Sequence, residues 1–180
     1  MNENTNSDFR TVRGYQLANQ RQGQLTSALE DYLEMTCRLC LENNYARVGQ
    51  LSELLNVKPS SASKMISKLA GLGYLKYDRY EIIQLTDSGW EMGQYLLKRH
   101  ETIERFLALI GSPNPLGEAE LVEHSLSSST VSDLNDLLEF FKLNPALQSS
   151  FHEFKKVKNQ SNVIHGNKTN KKSQVKNQSL

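Results

Sequence analysis

The order of the elements predicted between residues 48 and 86 constrains the fold more than any other feature. "VGQLSELLNV" predicts a short helix, and "KPSSASKMISKLAGLGYL" predicts a second helix that opens with Pro59 and ends at Gly73. "YLKYDRYEIIQLT" then places β-branched and aromatic residues around a charged centre, which is typical of a β-hairpin. A helix, a short turn, a helix and a hairpin in this order predict a winged helix-turn-helix.

Further helical patterns precede and follow this segment. "SALEDYLEMTCRLCLENN" predicts a first helix from about residue 27 to about residue 42, beginning with a capping box of Ser27 and Glu30. "DSGWEMGQYLLKRHETIERFLALIG" predicts a long helix, and the prolines after it separate it from two shorter helices, "GEAELVEHSLS" and "SSTVSDLNDLLEFFK". The expected fold class is therefore mainly α.

Composition excludes a membrane-spanning protein. The 180 residues are 38% hydrophobic and 23% charged, which fits a globular chain, and no apolar run approaches the ~18 residues of a spanning helix. The N-terminus "MNENTNSDFRTVRGYQ" has no apolar core of a secretory signal. We therefore expect a cytoplasmic protein with no membrane partner.

Both ends of the chain differ in composition from its centre. Residues 1–24 are polar and are expected to form an arm, in which "FRTVRGYQL" is a weak candidate for docking or DNA contact. Residues 143–180 are expected to form a basic, disordered tail, since residues 151–180 hold seven lysines against one acid, Glu153. Such a tail either touches nucleic acid non-specifically or only keeps the protein soluble.

Cys37 and Cys40 in "CRLC" share one face of the first predicted helix. Two thiols cannot complete a tetrahedral zinc site without other ligands, and a reducing cytosol disfavours a structural disulfide. We expect both side chains to be buried and to pack in the hydrophobic core. The alternative is a redox or metal-binding role.

The polar face of the second helix of the helix-turn-helix suits the major groove of DNA. Small hydroxyls allow close approach to base edges, and basic side chains neutralise phosphates. Two further basic residues lie in the predicted hairpin, and a symmetric dimer would double the whole set. The alternative is an ordinary amphipathic helix with a solvated polar face. The candidate DNA-binding residues are Ser60, Ser61, Ser63, Lys64, Ser67, Lys68, Lys76 and Arg79.

Three separate helical segments each offer side chains that bind metals, at spacings that share a helix face. Four carboxylates gathered without a cation would repel one another and would be expensive to bury, whereas one or two divalent ions remove that cost. The alternative is a solvated acidic face together with a hydrogen-bonded core histidine. The candidate metal ligands are Asp31, Glu34, His100, Glu120, Glu123 and His124.

The segments "SALEDYLEM", "YARVGQLSELLNVKPSSASKMISKLAGLGYL", "LTDSGWEMGQYLLKRHETIERFL" and "ELVEHSLS" resemble the DtxR/MntR family of metal-dependent repressors over residues 25–142, and most of all its manganese-responsive MntR branch. The resemblance implies that "EDYLE", "RHE" and "ELVEH" carry the family's metal ligands. Iron-sensing relatives typically have Met and Cys where this chain has Asp31 and Glu120. Hard oxygen donors at these two positions suit Mn(II). We expect one or two Mn(II) ions per subunit, and Fe(II) or Zn(II) are the alternative metals.

The resemblance implies a winged helix-turn-helix over residues 25–87, followed by an α-helical metal-binding and dimerisation domain over residues 88–142. It also implies a function that is not enzymatic. We expect a homodimer that binds a palindromic double-stranded DNA operator when loaded with Mn(II) and represses metal-uptake genes. The rivals are a metal-independent winged-helix regulator and a two-metal hydrolase. Against the hydrolase, the sequence shows no glycine-rich phosphate loop and no candidate nucleophile.

Overall fold

The computed structural model describes residues 25–77 and 82–158, and these residues are mainly helical. The predicted arm over residues 1–24 and the predicted DNA-contacting Arg79 lie outside them. In chain order the elements are α1 (Ser27–Asn43), β1 (Ala46–Arg47), α2 (Val48–Leu54), α3 (Pro59–Gly71), β2 (Leu75–Tyr77), β3 (Ile82–Leu85), α4 (Asp87–Leu109), α5 (Pro115–Val122), a 3₁₀ turn (Glu123–Ser125), α6 (Ser128–Leu143) and α7 (145–158).

The winged helix-turn-helix predicted from the sequence is confirmed. Helices α2 and α3 pack against each other, and the hairpin strands β2 and β3 form the wing. Strand β1 joins the other side of β3, so the antiparallel sheet has the order β1-β3-β2. The apolar face of α3 is fully buried through Ala62, Ile66 and Leu69. This burial fixes which face of α3 remains exposed to solvent.

Local signals explain where α3 ends and where α1 begins. At the end of α3, Gly73 adopts a φ of 85°, and its N–H donates to the Ala70 carbonyl while the Tyr74 N–H donates to the Leu69 carbonyl. This pairing is a Schellman motif, in which glycine avoids the strain of a positive φ. The predicted capping box at the start of α1 is wrong. Thr26 is the N-cap, and its hydroxyl accepts from the Leu29 N–H at 3.2 Å.

Helix α4 packs closely against α1. A Cβ atom placed on Gly93 of α4 would lie 2.8 Å from both Cβ and Sγ of Cys37 on α1, so glycine allows the two helices to meet. Cys37 and Cys40 are both buried free thiols, as expected for apolar filler. Burial, with smaller contributions from Cys40 and Glu34, raises the pKa of the Cys37 thiol to about 11.

The chain divides into two compact units, one ending at Val131 and one beginning at Ser132. In the second unit, the Phe141 ring of α6 contacts the Phe151 ring of α7, with 5.8 Å between the ring centroids. The prediction of a disordered tail from residue 143 is therefore wrong for residues 145–158, which are helical. Leu147, Phe151 and Phe154 recur at helical spacing there, and the lysine-rich composition concealed this signal.

None of the helices in the described ranges combines the length and apolar character that crossing a membrane requires.

Candidate metal centre and DNA-binding helix

His124 lies between two acids of the first turns of α1. Its Nε2 atom is 2.9 Å from Oδ1 of Asp31, and its Nδ1 atom is 2.7 Å from Oε2 of Glu30. The hydrogen bonds to Asp31 and Glu30 outweigh burial and raise the pKa of His124 to about 9. The ring is therefore protonated at neutral pH while these carboxylates are its partners, and it must lose a proton before a nitrogen can bind a metal ion.

A second group of donors surrounds His100 of α4. Nδ1 of His100 is 3.1 Å from Oε2 of Glu123 and 3.8 Å from Oε1 of Glu120. One donor atom from each of Glu34, His100 and Glu123 lies within 4.8 Å of the other two, and all three residues are buried. Three helical segments thus bring an imidazole and two buried carboxylates to one point.

Glu123 connects the two groups. Its Oε2 faces His100, and its Oε1 lies 3.8 Å from Nε2 of His124. The Glu123 side chain is only 2% exposed, and burial, followed by the negative charge of Glu34, raises its pKa. A buried carboxylate beside another acid is unfavourable without a cation, so this observation fits a metal ion better than a solvated acidic face.

The structure brings all six predicted ligands into one cluster. Helix α1 supplies two, α4 supplies one, α5 supplies one, and the 3₁₀ turn supplies two. Glu120, with 60% of its side chain exposed, lies at the rim. The pattern predicted one continuous helix through Glu123 and His124, but α5 ends at Val122 and the tighter turn orients both side chains. The six are Asp31, Glu34, His100, Glu120, Glu123 and His124.

A cavity of about 450 Å³ adjoins this cluster and gives access to it. Glu34, His100 and Glu120 line it together with Arg38. Arg38 donates to Oε1 of Glu34 from Nη2 at 2.7 Å. The guanidinium therefore neutralises part of the charge of one candidate ligand at the cavity wall.

Two residues of the cluster were not predicted as part of it. Arg99 of α4 is 4% exposed and donates from Nη2 to Oε2 of Glu30 at 2.9 Å. The sequence pattern places Glu30 in a capping box with Ser27, which the structure does not contain. The overlooked signal is that Arg99 lies three residues after Leu96 and four before Ile103, on the buried stripe of its helix, where an arginine requires an anionic partner.

The cluster contains carboxylate and imidazole donors and no thiolate. Oxygen and nitrogen donors of this kind suit hard or borderline divalent cations. The donor atoms of Glu34, His100 and Glu123 lie close enough together to share one such ion.

The predicted DNA-binding face lies on the solvent side of α3. Five of its six α3 residues are exposed, and Ser63 is half-buried. The Ser67 hydroxyl donates to the Ser63 carbonyl at 2.8 Å, so its oxygen can still accept a hydrogen bond from a bound molecule. Lys76 on β2 is also exposed. The exposed candidate DNA-binding residues of α3 are Ser60, Ser61, Lys64, Ser67 and Lys68.

Two family models match this chain in the order of the observed modules. Residues 24–82 match the iron dependent repressor N-terminal DNA binding domain, and residues 86–151 match the iron dependent repressor metal binding and dimerisation domain. The transcriptional regulator MntR of Bacillus subtilis is 36% identical over 133 residues, which are 73% of this chain and 94% of that protein. This chain belongs to the DtxR/MntR family.

Other members of the family support the same assignment. MntR of Geobacillus thermodenitrificans is 41% identical over 119 residues, or 65% of this chain and 84% of that protein. Among solved structures, IdeR of T. acidophilum has a TM-score of 0.55 and 29% identity, covering 61% of this chain and 53% of its own. The manganese regulator SloR has a TM-score of 0.54 and 27% identity, covering 62% and 54%. The chain thus spans about half the length of these solved proteins.

The family and the architecture together define the class of function. This DtxR/MntR family member is a metal-dependent DNA-binding transcriptional regulator with a metal-binding and dimerisation domain, and it is not an enzyme. The predicted family, fold class and function class are confirmed.

Proposed function

We propose that this chain is a Mn(II)-activated repressor that binds a palindromic operator as a homodimer and controls metal-uptake genes in the cytoplasm. One observation carries the proposal. Asp31 and Glu34 lie on α1, which packs against the DNA-binding helix α3, and they converge with His100 and His124 from the following helical region. A cation shared by these donors joins the sensing site directly to the DNA-binding module.

The donor set favours manganese over its rivals. Asp31 and Glu120 are oxygen donors, which suit Mn(II), whereas softer sulfur donors help to hold later metals. The curated relatives are named MntR, and one similar structure is titled a manganese regulator. Iron and zinc are the runners-up, because intrinsic affinity rises from Mn(II) to Zn(II) and selectivity must come from geometry.

We propose two ions per subunit. The support is the orientation of Glu123, which turns one carboxylate oxygen toward each histidine and is therefore suited to bridge two positions. Four carboxylates formally balance the charge of two divalent ions. A bound cation would supply positive charge among these acids. Without it, the negative charges of Glu34 on α1 and Glu123 on the 3₁₀ turn repel each other and weaken the contact between these two elements.

Sensing and DNA binding are then linked thermodynamically. If loading the site raises operator affinity by some factor, operator binding raises metal affinity by the same factor. A coupling of ~1–3 kcal/mol corresponds to roughly a 5- to 150-fold change in affinity. Each subunit places α3 in the major groove, and the dimer spaces two copies of α3 one helical turn of DNA apart.

The proposed DNA contacts divide into two classes. The small hydroxyls of α3 approach base edges, while the basic side chains of α3 and the wing contact phosphates. The proposed phosphate-binding residues are Lys64, Lys68, Lys76 and Arg79, and the proposed groove-facing residues are Ser60, Ser61, Ser63 and Ser67.

The proposal is tested by operator affinity at fixed free metal concentration. Duplexes selected from a random library with Mn²⁺ present are titrated by fluorescence anisotropy in Mn²⁺, anaerobic Fe²⁺, Zn²⁺ or chelator. We expect binding in Mn²⁺ to be about 5- to 150-fold tighter than in chelator. Glu34→Gln should abolish this difference, whereas Glu42→Gln, an exposed acid on the same helix, should preserve it.

Equal affinity in Mn²⁺ and chelator would leave only a metal-independent winged-helix regulator. A larger effect of Zn²⁺ or Fe²⁺ than of Mn²⁺ would reject manganese as the effector and retain the metal-dependent repressor. Calorimetry with Mn²⁺ gives the number of ions, and one ion per subunit would contradict the bridging role of Glu123.

A further inference from the structure

The two nitrogens of His124 face different surroundings. Nε2 faces the candidate ligands, at 2.9 Å from Asp31 and 3.8 Å from Glu123. Nδ1 faces away from them, at 2.7 Å from Oε2 of Glu30. A histidine that binds a metal usually donates its other ring N–H to a carboxylate, which fixes the ring orientation and the tautomer.

Arg99 holds Glu30 in this position. Its Nη2 atom donates to the same Oε2 atom of Glu30 at 2.9 Å, and the arginine is buried. The Glu30 carboxylate is thus the anionic partner of a buried arginine, and the same Oε2 atom faces Nδ1 of His124 as an acceptor.

One further contact bears on the tautomer. Nη2 of Arg99 also lies 3.1 Å from Nδ1 of His124. A guanidinium can only donate, so this contact is favourable only if Nδ1 lacks a proton. The 2.7 Å distance from Nδ1 to an ionised carboxylate is the shorter and the charge-assisted contact, and it favours a proton on Nδ1.

We propose that Glu30, held by Arg99, is a positioning residue that keeps the proton of His124 on Nδ1 and presents Nε2 to the metal ion. The inference rests on the proposed metal function. Three segments build this arrangement: α1 supplies Glu30, α4 supplies Arg99, and the 3₁₀ turn supplies His124. Within the described residues, the buried Nε atom of Arg99 has no hydrogen-bond partner, and Glu30 is the acid that forms an ion pair with its guanidinium.

The rival explanation is that Glu30 and Arg99 form a structural ion pair with no influence on metal binding. The two explanations differ in what happens to the His124 ring. Loss of a purely structural pair lowers stability and leaves the metal-binding nitrogen unchanged. Loss of a positioning residue lowers metal affinity by roughly 10- to 100-fold and changes the ring signals.

The test measures Mn²⁺ affinity by calorimetry and the His124 ring nitrogens by ¹⁵N NMR with diamagnetic Cd²⁺ bound. In the wild type we expect Cd²⁺ on Nε2 and the proton on Nδ1. Glu30→Leu should weaken Mn²⁺ binding by about 10- to 100-fold and abolish the protected Nδ1 proton. Glu30→Gln, which keeps an acceptor, should restore most of the affinity, and Glu42→Leu on the exposed part of α1 serves as the control.

Glu30→Leu leaves Arg99 buried without its partner and can fail to fold. The double variant Glu30→Leu/Arg99→Met removes both charges and keeps an apolar stem, and it should show the same loss of affinity. Cd²⁺ on Nδ1, or Mn²⁺ affinity of the folded single or double variant within twofold of the control, would overturn the positioning role. Failure of the wild type to bind either ion would instead overturn the proposed metal function.

Discussion

Replacing Gly93 by alanine tests how closely α1 and α4 must approach. The new Cβ atom would lie 2.8 Å from both Cβ and Sγ of Cys37, well short of the 3.4–4 Å of an ordinary contact. Because Cβ of Cys37 is fixed to its backbone, a side-chain rotation cannot relieve the clash and the helices must separate. Overpacking of this kind costs ~1–3 kcal/mol, while exchanging glycine for alanine inside a helix gains roughly 0.5–1 kcal/mol.

Gly49→Ala is the matched control, since Gly49 lies in α2 and its new Cβ would meet no atom within 4 Å. The difference in unfolding free energy between the two variants cancels the gain from alanine and should equal the ~1–3 kcal/mol of overpacking. Urea unfolding followed by circular dichroism measures it. If Gly93→Ala is stabilised as much as Gly49→Ala, the helices are not in the close contact described. Mn²⁺ affinity should fall in Gly93→Ala alone, because Glu34 and His100 lie on the two separated helices.

Three further predictions concern charge and protonation. Lys64→Ala and Lys68→Ala should each weaken DNA binding across all sequences and lower the slope of log affinity against log salt by about 1; an unchanged slope excludes phosphate contact. Mn²⁺ affinity should rise by up to about tenfold per pH unit as the pH approaches 9, because the metal competes with a proton on His124 whose pKa is raised to about 9; a flat profile between pH 6.5 and 8.5 contradicts this competition. Cys37 and Cys40 should react with a thiol reagent only in denaturant, because burial raises the pKa of both thiols; rapid native labelling refutes their burial.

Helical spacing was sufficient to predict the candidate ligands, because side chains three or four residues apart on a helix must share a face. It could not predict that α5 ends at Val122, since nothing in "ELVEHSLS" marks the change to a 3₁₀ turn. The cluster still forms, because the turn carries Glu123 and His124 back toward α1.

Glu30 and Arg99 could not be predicted as part of the cluster for the same physical reason. Glu30 fits a capping box with Ser27, but Thr26 provides the cap, so the local pattern concealed a contact made 94 residues later in the chain with His124. Arg99 lies on a buried stripe where only a tertiary partner makes a charge tolerable, and periodicity does not identify that partner. Local sequence signals therefore predicted the helices and strands. The ion pairs between residues far apart in the chain could be identified only from the structure.

Helix α1 belongs at once to the acid cluster and to the core beneath α3. Leu33 and Cys37 are buried on its apolar side, while Asp31 and Glu34 face the histidines. The proposed metal ligands on α1 and the proposed DNA-binding helix α3 are thus separated by about one helix diameter, ~10 Å. Because α1 packs against α3, a substitution in α1 that changes ion preference should also alter how α3 is held, and redesign of the effector must treat both faces of α1 together.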